Sequence, residues 1–154
     1  LADHARESID RLRVVELLLI HDIPEIDAGD RIVYQGRDEE RYAVELQAAR
    51  RVFGILPESQ ASWCLELWRE FETRESSEAR FAYAIDRLMP LLQNLANQGQ
   101  SWRENGVSLE KVLAVNAVMG DALPSVWDHV RALLGESSAK GFFEELKKGY
   151  PEAG

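Results

Sequence analysis

The run Leu17-Leu18-Leu19-Ile20-His21-Asp22-Ile23-Pro24-Glu25-Ile26-Asp27-Ala28-Gly29-Asp30 decides how this chain is read. Four large aliphatic residues in a row match a helix that is apolar almost all round, which suits a central position. Immediately after them come an imidazole and a carboxylate. Ionisable groups set against so apolar a helix are costly unless they are paired or hold a metal. Glu25 and Asp30 add two carboxylates within the next turn and loop. Imidazole with carboxylate suits a divalent ion, and a spare acid beside a water activated by that ion is what hydrolysis needs.

Outward from this run, the pattern is helical throughout. Upstream, Ser8 can cap a helix that carries Ile9, Leu12, Val15 and Leu19 at helical spacing. Pro24 biases Ile23 away from helical geometry, so that helix ends or kinks just after Asp22. Residues 26–37 read as a loop around Gly29 and Gly36. A second helix is expected over 38–54, with Tyr42, Leu46, Ala49 and Phe53 inward. Gly54 stops it, and Pro57 suits the first turn of a third helix, to about 73, whose stripe is Ala61, Cys64, Leu65, Trp68 and Phe71.

Ser76 or Ser77 caps a long fourth helix to about Asn97, with Phe81, Ile85, Leu88, Leu92 and Leu95 inward. Residues 98–106 read as a loop. Ser108 caps a short helix to Met119. Pro124 opens another to about 134, and Ser138 opens a last one to about Lys148. No stretch shows the period-two alternation of a strand, and no repeat or low-complexity linker divides the chain. The expected architecture is all-α, as one domain over 154 residues.

Composition narrows the function. With 45% hydrophobic and 29% charged residues, the chain is a folded globular protein. A net charge of −9 repels polyphosphate backbones, so a nucleic-acid polymer is not an expected partner. A small phosphate ester remains open, because a bound metal reverses the local potential. Cys64 is the single cysteine, so there is neither an intrachain disulfide nor a zinc knuckle, which fits a reducing cytosol. No apolar run approaches about 18 residues, and no membrane span is expected. Leu1-Ala2-Asp3-His4-Ala5 reads like the end of a helix already under way, and further sequence is expected upstream.

A second anomaly lies in the fourth helix. Asp86 sits between Ile85 and Leu88 at the edge of the apolar stripe, four residues before Pro90. Proline has no N–H for the Asp86 carbonyl, so a kink is expected there, with the acid available to an ion. The plain alternative is a surface pair of Asp86 with Arg87. For His21 and Asp22 the plain alternative is a hydrogen-bonded histidine followed by a helix-terminal acid. An acid at a helix C-terminus opposes the macrodipole, and broken local rules cluster at functional sites.

Taken together, tandem His21-Asp22, then Glu25, then Gly29-Asp30, and a distant Asp86 within Ala84-Ile85-Asp86-Arg87-Leu88 resemble the HD-domain metal-dependent phosphohydrolases. The closer likeness is to the branch that includes the 5′-deoxynucleotidases. It extends from about residue 12 to about 118, including Ser101-Trp102-Arg103-Glu104-Asn105-Gly106-Val107. The resemblance implies an HD-type helical bundle in which His21, Asp22 and Asp86 are metal ligands. Glu25 and Asp30 then have catalytic or substrate-side roles, with acid and base not assigned between them.

The ion implied is divalent: Mn, Co, Mg, Zn, Fe or Ni. The family's first histidine ligand sits further upstream than this chain reaches, and His4 lies too close to His21 to match it. Either that ligand is upstream of Leu1, on a helix that this chain lacks in whole or part, or the protein lacks it and binds metal poorly.

The expected activity is removal of phosphate from nucleoside 5′-monophosphates, deoxy ones in the first place. Another phosphoester, such as a cyclic nucleotide or sugar phosphate, is the second reading, and a helical interaction module with a decayed site is the third. Trp63, Trp68 and Trp127 read as core or dimer interface rather than base-stacking residues, and Trp102, in a loop, is the one aromatic residue for which a place near a ligand is left open. His129 reads as partly exposed, and Arg80 and Arg87 could reach a phosphate but read by default as solvated. Phe53, Trp63, Trp68, Phe71, Trp127, Phe142 and Phe143 exceed what one globule needs to bury, so some are expected on an exposed face that forms a homodimer.

Overall fold

A computed structural model describes residues 1–29 and 39–143. Among them are nine α-helices, one 3₁₀ turn at Ala2–His4, and no strand. The helices are α1 (Arg11–Ile20), α2 (Glu25–Ala28), α3 (Glu39–Phe53), α4 (Glu58–Thr73), α5 (Ser77–Ala96), α6 (Gln100–Glu104), α7 (Leu109–Asn116), α8 (Met119–Ala122) and α9 (Pro124–Ala139). The all-α expectation is met.

Local chemistry explains most of the boundaries. Asp10, rather than Ser8, caps α1: its carboxylate accepts from the N–H groups of Leu12 and Arg13. Ser76 caps α5 through the Ala79 N–H, and Ser108 caps α7 through the Lys111 N–H. Each such cap satisfies N–H groups that have no partner within the helix, and contributes about 1 kcal/mol. Pro57 precedes α4, and Pro124 begins α9 at the position where a missing N–H costs nothing. The helix α5 runs on through Pro90.

The main core joins α1, α4, α5, α7, α8 and α9. Leu17, Leu67, Ala79, Ala82, Val112, Met119, Leu123 and Leu134 are completely enclosed in it. A smaller cluster between α3 and α4 contains Ala49, Phe53, Cys64 and Trp68, with Ile20 and Ile23 packed against it. The end of α1 therefore lies where the two clusters meet.

Several expectations are corrected. The stripe Leu12, Val15, Leu19 on α1 faces outward, at 67%, 50% and 68% exposure, whereas Val14 and Leu17 face the core. A run apolar all round carries no information about which side is buried. Helix α2, Glu25–Ala28, takes up the first three residues of the expected loop at 26–37. The supposed loop at 98–106 contains α6, and α6 buries Trp102 to 1% exposure in a stack on Phe143 at 4.6 Å. Trp102 is a core residue and not a ligand contact. Gly99 makes this possible: it adopts φ +71°, and any Cβ there would overlap the Phe142 main chain. Helix α9 continues to Ala139, so Ser138 lies within it and opens no helix; residues 144–154 lie outside the described residues.

Candidate metal centre

The sequence of α1 places His21 at a particular spot. The helix ends at Ile20, and His21 follows as its C-cap, with its main-chain N–H still bonded to the Leu17 carbonyl at 3.0 Å. Its Nδ1 lies 2.9 Å from the Leu18 carbonyl oxygen. A carbonyl only accepts, so Nδ1 carries a proton and Nε2 is the atom turned toward the site. The ring lies on Phe71 of α4, with centroids 4.2 Å apart, and its side chain is only 10% exposed.

Two carboxylates meet Nε2. Asp22 Oδ1 is 2.9 Å away, and Asp86 Oδ1, from α5, is 3.5 Å away. Asp86 is 23% exposed and Asp22 67%, so the cluster is closed on the α5 side and open on the Asp22 side. Asp86 also accepts, through Oδ2, from Arg87 Nη2 at 2.8 Å and Nε at 3.2 Å. The surface pair weighed from the sequence therefore exists, but the same carboxylate also faces His21, and Arg87 is not simply solvated.

The electrostatics demand a cation. Burial opposes charge on His21, but the contacts with Asp22 and Asp86 outweigh it, and the pKa is pushed up to about 10. Burial would raise the Asp86 pKa; His21 and the Arg87 charge more than offset this and hold it below the usual carboxylate range. Despite two nearby oxygens, the buried Nε2 makes no well-aligned hydrogen bond. A nitrogen lone pair facing two carboxylates is repulsive, so the position calls for either a proton or a metal ion.

Imidazole and carboxylate donors, with Nδ1–H donated to a main-chain carbonyl, are the arrangement that metal-ligating histidines use. The residues thus fit a divalent ion. Among the described residues, no three His, Cys, Asp or Glu side chains already stand in coordinating geometry. The carboxylates rest directly on the imidazole, and an ion at bonds of about 2.0–2.2 Å needs them to turn away from it.

The other expected residues divide. Glu25 opens α2 one turn beyond Asp22, its N–H bonded to the Asp22 carbonyl at 3.0 Å, and is half-buried. Helix α2 is fastened to α3 by Arg41, which donates to the carbonyls of Ala28 and Gly29, and by an Arg51–Asp27 ion pair. Asp30 lies outside the described residues. His4 is away from the centre, 3.5 Å from Ser125 Oγ at the surface, and His129 is exposed on α9. Phe71, which supports the imidazole, was read from the sequence only as core; nothing in the helical pattern distinguishes a core aromatic from one under a ligand.

An imidazole at the end of one helix thus faces an aspartate from a second, and the chain belongs to the HD domain family, whose model matches residues 1–127. Among particular proteins, it is similar to the crystal structure of a "predicted metal-dependent phosphohydrolase" from Magnetospirillum magnetotacticum MS-1. The two share 39% identity over 94% of this chain and 74% of that one, with a TM-score of 0.86. It is also similar to the 5′-deoxynucleotidase HDDC2 of Homo sapiens, at 33% identity over 56% of this chain and 43% of the relative. The Dictyostelium discoideum protein of the same name is 26% identical over 68% of this chain and 56% of its own length. The chain thus spans about half the length of the curated relatives it matches.

Proposed function

We propose that this protein is a metal-dependent phosphohydrolase that releases phosphate from nucleoside 5′-monophosphates, deoxy ones first. The observation that carries this reading is the meeting of His21 and Asp22 with Asp86, from a helix far along the chain, on one buried nitrogen that lacks a satisfying partner. The substrate class is supported by the likeness to the 5′-deoxynucleotidases.

In this reading His21, Asp22 and Asp86 hold the ion. A divalent ion bound there polarises a phosphoryl oxygen and makes water a stronger acid. Phe71 and the Leu18 carbonyl fix the plane and the tautomer of His21. Glu25, whose main-chain N–H bonds the Asp22 carbonyl, orients the attacking water or carries its proton. Asp30 holds the sugar or protonates the leaving alkoxide. The net charge of −9 disfavours long polyphosphates and leaves small esters as partners. None of the described helices is long and apolar enough to cross a membrane. A cytoplasmic place of action and a homodimer complete the proposal.

A second reading keeps the site and changes the ester, to a cyclic nucleotide or a sugar phosphate. The relative that covers most of this chain, at the higher identity, bears a name that specifies no substrate, and fold does not choose substrate. Phosphate release from a panel of nucleoside monophosphates, cyclic nucleotides and sugar phosphates, with Mn, Co, Mg, Zn, Fe and Ni added separately, separates the two. Activity on deoxynucleoside monophosphates that is lost in Asp86→Ala supports the first. Activity confined to other esters supports the second, and no release with any ion leaves the decayed module.

A further inference from the structure

Asp86 belongs to a closed ring of contacts that ties three helices together. His21, at the end of α1, lies on Phe71 of α4 at 4.2 Å. Phe71 meets the edge of Tyr83 of α5 at 5.9 Å. Tyr83 lies under the guanidinium of Arg87, 5.1 Å from its ring centre. Arg87 donates twice to Asp86 Oδ2, and Asp86 Oδ1 returns to His21. Arg74, held at φ 57° as the C-cap of α4, also stands over Tyr83, at 4.5 Å.

Neighbouring side chains on a helix diverge by about 100°, so the Asp86–Arg87 contact is not automatic. Arg87 reaches Asp86 while it lies on a ring one turn back, and that ring is braced from α4. A carboxylate oxygen already accepting two charge-assisted hydrogen bonds is a poor donor to a second cation.

We propose that Arg87 is a positioning residue for the ion site: it occupies Asp86 Oδ2 and presents Oδ1 alone to the ion, from a platform made by Tyr83. The inference rests on the metal-site reading above. It carries a sign that distinguishes it from charge alone. A guanidinium near a divalent ion repels it, so mere loss of that charge strengthens binding. Loss of positioning weakens it.

The test uses the whole protein, titrated calorimetrically with Mn²⁺ or Co²⁺ alone, with the visible absorption of Co²⁺ as a second readout. Arg87→Gln is expected to bind the ion about 10–100-fold more weakly. Its Co²⁺ bands should also lose intensity, as Asp86, freed at both oxygens, raises the coordination number. Arg87→Lys keeps the charge without the planar fork, and is expected to remain weaker than the parent. If Arg87→Gln does not fold, Arg87→Lys decides. Equal or tighter binding with unchanged Co²⁺ bands, in whichever variant folds, overturns the inference alone. A parent protein with no saturable binding of either ion overturns the metal-site reading and the inference with it.

Discussion

As the proposed metal ligand, His21 carries opposite demands in the metal-free and metal-bound protein. Without metal, its folded pKa near 10 lies above the ordinary 6.5, so the imidazolium stabilises the fold fully below about pH 6.5. That contribution fades as pH rises through about 10. An ion needs the neutral ring, so binding at neutral pH must displace a proton. We expect about one proton released per ion bound at pH 7–8, and affinity that rises with pH toward 10. Titrations in buffers of different ionisation enthalpy measure this directly; pH-independent affinity would show that His21 is not a ligand. Glu25 belongs to the same scale but to a different step. Glu25→Ala should keep the ion and the nucleotide while turnover falls by about 10²–10⁴. Metal content and substrate affinity measured beside the rate decide it, and loss of the ion would make Glu25 a ligand instead.

At the scale of the element, α1 sets the site. Leu17, fully enclosed, and Val14 lock the helix against α4 and α5, and that packing turns His21 toward Asp86. Leu17→Ala is expected to cost about 2–5 kcal/mol, from lost burial and the cavity left behind. Leu12→Ala, on the exposed stripe of the same helix, should cost far less in the monomer. Denaturant unfolding of the two variants checks the difference, and equal losses would mean that the inward face is misassigned. The helices with caps or terminal prolines, at Ser76, Ser108, Pro57 and Pro124, were legible because those signals are local. The inward face of α3 was legible too, since Ala49 and Phe53 stand out from a polar helix. For α1, aliphatic nearly all round, the pattern had no contrast to read. Helix α6 is not legible in the sequence because it is little more than one turn long and held by tertiary stacking of Trp102 on Phe143.

For the whole molecule, the question is which apolar surface is left over. Of the aromatic residues expected to form a patch, Phe53, Trp68, Phe71, Trp127 and Phe143 are buried, and Trp63 alone is well exposed, at 43%. Among the described residues, exposed large aliphatic side chains include Ile26 and Ile55, Leu12, Val15 and Leu19 of α1, and Met89 and Leu92 of α5. Apolar surface of this kind usually marks association, so the homodimer proposal moves from the aromatic residues to these aliphatic ones. The charge of −9 opposes it weakly, since screening acts beyond about 8 Å at physiological salt. Light scattering on the whole protein should give a dimer at micromolar concentration, weakened by Leu12→Glu or Leu19→Glu. A monomer would count against the dimer without touching the site.

By itself, the sequence determined the class of architecture, most helix starts, and the candidate ligands His21, Asp22 and Asp86. Helical periodicity and capping act over a few residues, and an ionisable group on an apolar helix is conspicuous wherever it lies. Only the tertiary structure decided which side of α1 is buried, that Asp86 turns toward His21 while also pairing with Arg87, and that Trp102 belongs to the core. Those outcomes depend on the packing of α1 against α4 and α5 and of α6 against Phe143. Side-chain direction across helices is set by steric fit among residues far apart in the chain, which no local pattern encodes.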